Sequence, residues 1–272
     1  MSAPTVTVLA SVHNGRATVR SMIDSILAQT FDDFELLVID DASTDGSVDV
    51  LRQRAKGDSR IRVLVNQKNL GLAASLNRGL QAARGPLIAR IDADDEAVPH
   101  RLERQVAFLR DHPGVDVVGG WINVREGDAI TGVRTVPREH AAIIRLLYSC
   151  PVYHPTVMYR RDRILELGGY DPRLRRRQDV DLWFRAAHHG LRFANIPEPL
   201  TTYASRDLFE RNTLSGALTH VRVAYRGLRL VGGGPTTYLA ALLPLARFLV
   251  PRPMRGLVAR YSSRLDPRER AS

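Results

Sequence analysis

Short apolar runs alternating with helix-patterned stretches over residues 6–118 leave one class of fold open to this chain. Val6, Val8 and Ala10 sit in a run rich in β-branched residues and read as a strand. Residues 17–29 follow, with Val19, Met22, Ile23 and Ile26 at helical spacing. The run FELLVI at 34–39 is apolar at nearly every position, as a parallel strand must be when helices cover both its faces. A turn cluster at 40–47 offers Ser43 or Asp45 to cap the next helix. Residues 61–65 form a third strand, and Leu72, Leu76 and Leu80 make one stripe of a helix. Residues 86–91 form a fourth strand, Pro99 opens a helix that runs through His112, and 115–118 form a fifth strand. The alternation predicts an α/β fold, a Rossmann-like and mainly parallel sheet flanked by helices with right-handed crossovers.

In such sheets ligands bind beyond the carboxyl ends of the strands. The loops 11–14, 40–43, 66–71 and 92–95 all follow strands, so all four meet on one edge. The last is Asp92-Ala93-Asp94-Asp95, three carboxylates that repel one another at the end of a buried strand unless a cation is present. Oxygen ligands without Cys or His nearby suit Mg²⁺ or Mn²⁺, which bind a few carboxylates and complete their shell on substrate phosphates. The competing reading is a solvated acidic turn. No G-x-G-x-x-G follows the first strand and no G-x-x-x-x-G-K-[ST] occurs, which argues against a dinucleotide oxidoreductase and a P-loop NTPase. Phosphate charge would then be met by the metal.

Beyond Trp121 the pattern is less regular. A helix is expected at 142–148, a short strand at 156–159, a helix at 161–167 stopped by Gly168-Gly169, and a helix at 180–188 beside Asp179 and Asp181. Gly232-Gly233-Gly234-Pro235 reads as a linker. The net charge of +10 is uneven: from residue 201 onward there are twelve Arg, no Lys and four acids, a net of +8. An apolar stretch at 238–250 precedes Arg252, Arg255 and Arg260, which suits contact with an anionic membrane, with a helix packed on the body as the alternative. The single cysteine, Cys150, fits a reducing compartment and a small buried role. The N-terminus lacks a basic n-region and no apolar run is long enough to span a bilayer, so a cytoplasmic location is expected, with peripheral attachment to the inner face of the cell membrane as an addition.

The stretches VTVLASVHN, QTFDDFELLVIDDASTDGS, NLGLAASLNRGL, ARIDADDEAVPHRLERQ, HPTVMYR and GGYDPRLRRRQDVDLWFRAA occur in order from Val6 to Ala187. Together they resemble the family 2 glycosyltransferases of the GT-A fold. The resemblance implies an enzyme that takes a nucleotide-sugar donor, most often a UDP-sugar, and transfers the sugar with inversion to an acceptor hydroxyl. It places Ser11 and Asn14 of the first loop at the nucleotide and Asp41 at the base. Asn69, Gly71 and Asn77 fall near the donor. Asp92 and Asp94 form the D-x-D element that holds a divalent metal, Mn²⁺ or Mg²⁺, with Asp92 and Asp95 also toward the donor. Asp179 falls at the catalytic base, and His154, Asp181 and Trp183 fall on the acceptor side. Gln178 stands where Glu is frequent before the base, which leaves Asp181 as the other candidate.

Other readings of the same residues stand beside these. Acids at a helix start are favoured by the helix dipole without any catalysis. His154 also fits a hydrogen-bonded structural histidine, and Trp183 a core residue. The implied organisation is a nucleotide-sugar-binding half at 1–120, an acceptor-binding and catalytic half at 121–204, and a basic helical extension at 205–272. The acceptor is a glycan, a lipid-linked sugar or a small molecule. A binding-only relative and a nucleic-acid-binding module are the competing functions. No basic stripe interleaved with aromatics supports the second, so no nucleic acid partner is expected.

Overall fold

A computed structural model describes residues 3–204, 213–246 and 248. The first half follows the expected alternation: β1 (Val6–Val12), α1 (Val19–Leu27), β2 (Phe34–Asp40), α2 (Ser47–Gly57), β3 (Ile61–Val65), α3 (Leu72–Ala82) and β4 (Leu87–Arg90). β2 is buried at all seven positions. β1 pairs in parallel with β2 on one side and β4 on the other, and β3 extends the sheet beyond β2.

The chain continues through β5 (Asp95–Ala97), α4 (Arg101–Asp111), the long β6 (Val117–Glu126), β7 (Ala129–Arg134) and α5 (His140–Arg145). Next come β8 (Met158–Arg160), α6 (Arg161–Glu166), α7 (Gln178–His188) and the twelve-residue β9 (Phe193–Ala204). One nine-stranded sheet results, ordered β3-β2-β1-β4-β8-β6-β9-β5, with β7 hairpinned onto β6. The half that carries the four strand-end loops is parallel. β8 enters antiparallel to both β4 and β6, while β6 and β9 run parallel to each other. Sequence reading stopped the fifth strand at Val118 and found neither β7 nor β9.

Alternation along β1 feeds two cores, one per face of the sheet. Val6, Val8 and Ala10 pack with Met22, Ile23, Ile26, Leu51 and Leu102 on the α1, α2 and α4 side. Leu9, Leu37 and Ile39 pack with Leu76 and Leu80 of α3 and with Trp183 and Phe184 of α7 on the other. Each such fully buried side chain contributes about 1.5–3 kcal/mol.

α8 (Leu214–Val231) lies against α7, with Val223, Ala224 and Leu228 inside the second core. It ends at Gly232 in the left-handed region, φ 71°. Pro235 then opens α9 (Pro235–Ala240), followed by α10 (Leu243–Ala246), so the triglycine read as a linker separates two helices. Among the described residues no helix is long and apolar enough to cross a membrane. The expected basic segment with Arg252, Arg255 and Arg260, and the stretch 205–212, lie outside the described residues.

Candidate active site

The ends of β1, β2 and β3 are laced together by polar contacts. Asp41, one residue past β2, is buried, and one oxygen of its carboxylate accepts from Asn66 Nδ2 at 2.7 Å and the Leu70 N–H at 2.8 Å. The other accepts from the Gly71 N–H at 2.8 Å. Burial pushes this carboxyl up, but the bonds from Leu70, Asn66, Gly71 and Ser75 outweigh it, and the net shift is downward. Gly71 sits at φ +87°, which a side chain adopts only with strain, so glycine here lets the loop turn its N–H onto Asp41. Across the cleft, Asn14 donates its N–H to Ser43 Oγ at 3.0 Å and accepts from the Thr44 N–H at 2.8 Å. His13 Nδ1 lies 2.8 Å from the Asp41 carbonyl. Ser11 is half-buried at the end of β1, and Asn69 is exposed on the loop before α3. Ser43 and Asp45 do not serve as the N-cap of α2, which begins at Ser47. Asp45 Oδ1 instead accepts from the Ser47 N–H at 2.9 Å.

The acidic tetrad follows β4 on the same edge. Asp92 pairs with Arg90, whose guanidinium is buried. Beneath it Arg101, also fully buried, donates to the Arg90 carbonyl at 2.6 Å. Burial, and then the charge of Arg90, push the Arg101 guanidinium down to about 9. Asp95 is buried with neither carboxylate oxygen hydrogen-bonded. Burial first, then the charges of Asp92 and Asp94, push its carboxyl well up. Among the described residues no three His, Cys, Asp or Glu side chains form a ready metal cluster. The chemistry of the group still fits a hard divalent cation: the donors are all carboxylate oxygens, and Asp95 adds a buried carboxyl with no hydrogen-bond partner beside Asp92 and Asp94.

The later acids arrive on α7. Arg177, at φ 62°, turns the chain into the helix, so Asp179 and Asp181 both stand in its first turn. Asp179 is half-buried, and Oδ2 lies 3.5 Å from Cys150 Sγ. Asp181 does not face an acceptor space. It is buried, and its two oxygens are held by Arg185 of α7, at 2.9 Å, and by Arg226 of α8. It therefore clamps α8 onto α7. Trp183, placed on the acceptor side by the resemblance, has the core position that was its other reading, with no exposed surface and its ring edge-on to Tyr159, His154 and Phe193. The amide of Asn77 is occupied by the Tyr170 backbone: it accepts from the Tyr170 N–H at 2.8 Å and donates to the Tyr170 carbonyl at 2.7 Å.

Tyr170 links the two acidic regions. Its hydroxyl meets His154 Nε2 at 2.9 Å and Tyr159 Oη at 3.3 Å. Burial pushes the phenol up to about 12, with Asp179 and Asp92 both adding to the rise against Tyr159 and Arg90. His154 is buried, and burial and then Arg90 hold it well below the usual histidine range, so it is neutral. The structure thus brings His154 and Tyr159 onto one buried phenol. Arg90, Arg101, Tyr170 and Arg226 were missed by sequence reading: partners distant in the chain reveal the roles of the last three, and the burial of Arg90 inside the sheet reveals that of the first.

Comparison with known proteins places this edge in a family. The model of glycosyl transferase family 2 matches residues 7–168. The chain is 36% identical over 254 residues to EpsE of Bacillus subtilis (strain 168), covering 92% of this chain and 91% of that protein. It is 28% identical over 252 residues to the O-antigen biosynthesis glycosyltransferase WbnJ of Escherichia coli, covering 90% and 96%. Among solved structures, S. aureus TarS residues 1–349 in complex with UDP-GlcNAc superposes with a TM-score of 0.68 at 20% identity, covering 92% of this chain and 72% of that one. The mannosyltransferase PcManGT of Pyrobaculum calidifontis, in complex with GDP-Man and Mn²⁺, gives 0.66 at 20% identity, covering 96% and 80%. These likenesses confirm a GT-A-type fold, and with the family model and the relatives they show that this chain is a glycosyltransferase belonging to glycosyl transferase family 2.

Proposed function

We propose that the chain is an inverting glycosyltransferase that moves a sugar from a UDP-sugar to an acceptor hydroxyl. The observation that carries this reading is the acidic loop 92–95 after β4, with the Asp95 carboxylate buried and without a hydrogen-bond partner, on the same parallel strand-end edge as the buried Asp41. Asp41, held by Asn66, Leu70 and Gly71, is the base-contacting acid, with Ser11, Asn14 and Asn69 lining the same edge. TarS with UDP-GlcNAc supports a nucleotide-sugar ligand, and PcManGT with Mn²⁺ supports a divalent ion. Asp92 and Asp94 would hold that ion, backed by Asp95, and a bound Mn²⁺ or Mg²⁺ supplies charge compensation to the departing diphosphate.

The chain's own residues account for the other face of the sugar. Asp179 takes the proton of the acceptor hydroxyl as its oxygen bonds to the anomeric carbon, and the bond to the diphosphate oxygen breaks with its electron pair leaving on the nucleotide. A general base of this kind contributes about 10²–10⁴ in rate. Residues 1–120 form the donor half, 121–204 the acceptor half, and 205–272 a basic extension that meets an anionic membrane surface from the cytoplasm. The exposed Leu239 and Leu243 support that last point.

The test is a thermal-shift panel of nucleotide sugars with and without Mn²⁺, followed by transfer assays on Asp179→Asn. Ligand at a hundredfold excess over its dissociation constant adds about 2.7 kcal/mol, so the true donor stands out. Asp179→Asn binds that donor normally and loses transfer. Near wild-type transfer by Asp179→Asn would overturn the base assignment.

A further inference from the structure

A cavity of about 580 Å³ lies between the loop that leads into α7 and the first three turns of α8, and five of its lining residues are arginines: Arg173, Arg175, Arg176, Arg222 and Arg226. Only one carboxylate, Asp171, shares the lining. Asp171 is taken by Arg173, at 2.9 Å, and lies 3.9 Å from Arg226, which also binds Asp181. Arg175 and Arg222 form no ion pair among the described residues. So many like charges around one space repel, and an anion that enters relieves them.

The neighbouring surface has the opposite character. A second, shallower hollow shares Ser215, Thr219 and Arg222 with the first and adds Leu214 and Leu218. Those two leucines are 54% and 53% exposed, one turn apart on α8, in line with Arg222. Gly216, between the two stripes, leaves space for Arg176, whose Nη1 would stand 3.2 Å from a Cβ built there. Guanidinium groups beside an exposed aliphatic ledge match an amphiphile with a phosphate head and a hydrocarbon tail.

Resting on the glycosyltransferase reading, we propose that this cavity is the acceptor's anchoring site and that the acceptor is lipid-linked through phosphate. The phosphate or diphosphate is held by Arg175, Arg222 and their neighbours, and the first residues of the tail lie on Leu214 and Leu218. Arg175 is four residues before Asp179 in the chain, so an acceptor anchored there is delivered to the end of α7 that carries the base.

The test is calorimetric titration of the full chain with farnesyl diphosphate, farnesol and inorganic diphosphate, each with and without saturating UDP. Farnesyl diphosphate binds with UDP present and farnesol does not. The double variant Arg175→Ala/Arg222→Ala, at exposed positions with no ion pair among the described residues, weakens it about tenfold or more, since each lost guanidinium removes a charge-assisted hydrogen bond to the phosphate. Leu214→Ser/Leu218→Ser weakens farnesyl diphosphate and leaves inorganic diphosphate unchanged. Displacement by UDP, or equal affinity in the arginine variant, overturns the site. Equal affinity for farnesyl and inorganic diphosphate overturns the lipid assignment. Nucleotide-sugar binding, measured on the same samples, separates the two ideas: a chain that binds no donor but holds farnesyl diphosphate through Arg175 and Arg222 loses the transferase mechanism and keeps the cavity.

Discussion

The hydroxyl of Tyr170 lies 2.9 Å from Nε2 of His154, inside the core. Both side chains are buried, so neither has water as an alternative partner. Tyr170→Phe leaves the imidazole short of a hydrogen bond, a loss of about 1–3 kcal/mol. Chemical denaturation should register that loss. Among the described residues neither side chain hydrogen-bonds Asp41 or the loop 66–71, so donor KM stays near wild type while kcat falls. An unchanged kcat would show that the phenol serves the core alone.

Asp41 accepts hydrogen bonds from the Leu70 and Gly71 N–H groups, at 2.8 Å each, and so fixes the start of α3. Asp41→Asn turns one acceptor into a donor facing other donors, which costs about 1–3 kcal/mol and weakens nucleotide-sugar binding. The sign with pH follows from the lowered folded-state value. The stabilisation is fully present above the unfolded value, about 3.9, and is lost as pH falls through the folded one. The stability gap between wild type and Asp41→Asn should therefore be constant near neutrality and close below about pH 4. A gap that does not narrow at all as the pH falls below about 4 would contradict the role of the ionised carboxylate.

Much of this edge was legible in the sequence because it rests on local pattern. FELLVI followed by Asp40-Asp41, and the strand ending in Asp92, place acids at strand termini whatever the rest of the chain does. β9 was hidden by Pro197 and Pro199, which cannot donate to a ladder and read as loop. The structure accommodates them where its register with β6 slips, between Gly120, Trp121 and Ile122. β7 was hidden by its exposure at nearly every position, which leaves no apolar alternation. Asp181 and Trp183 share helix α7 with Asp179, but a sequence does not say which face carries the site. Their partners Arg226 and Phe193 decide that.

Cys150 stands at φ 59°, strained for a side-chain residue, with its sulfur 3.5 Å from Asp179 Oδ2. The thiol is a weak donor that orients the carboxylate. Cys150→Ser keeps a donor at this place and should retain transfer. Cys150→Ala removes it and should lower kcat several-fold, with a shifted acid limb in the pH–rate profile and unchanged donor affinity. Identical pH profiles for the two variants would assign the cysteine to packing.

Asp92 has two tasks that separate by experiment. Its carboxylate pairs with Arg90, whose Nε and Nη1 are buried without hydrogen-bond partners. Asp92→Asn strands that guanidinium, and stranding a buried charge costs roughly 3–5 kcal/mol. Asp92 retains 35% side-chain exposure, so the low end of that range is expected. Asp94→Asn removes a carboxylate from the same loop while leaving the Arg90 pair intact. Urea denaturation without metal should thus find Asp92→Asn more destabilised than Asp94→Asn. Both variants should lose the Mn²⁺-dependent gain in donor binding. The double variant Arg90→Met/Asp92→Asn removes both charges and should recover part of the stability lost by Asp92→Asn, without recovering the response to Mn²⁺. Equal destabilisation by Asp92→Asn and Asp94→Asn would mean that repulsion within the acidic loop, and not the Arg90 pair, governs its stability.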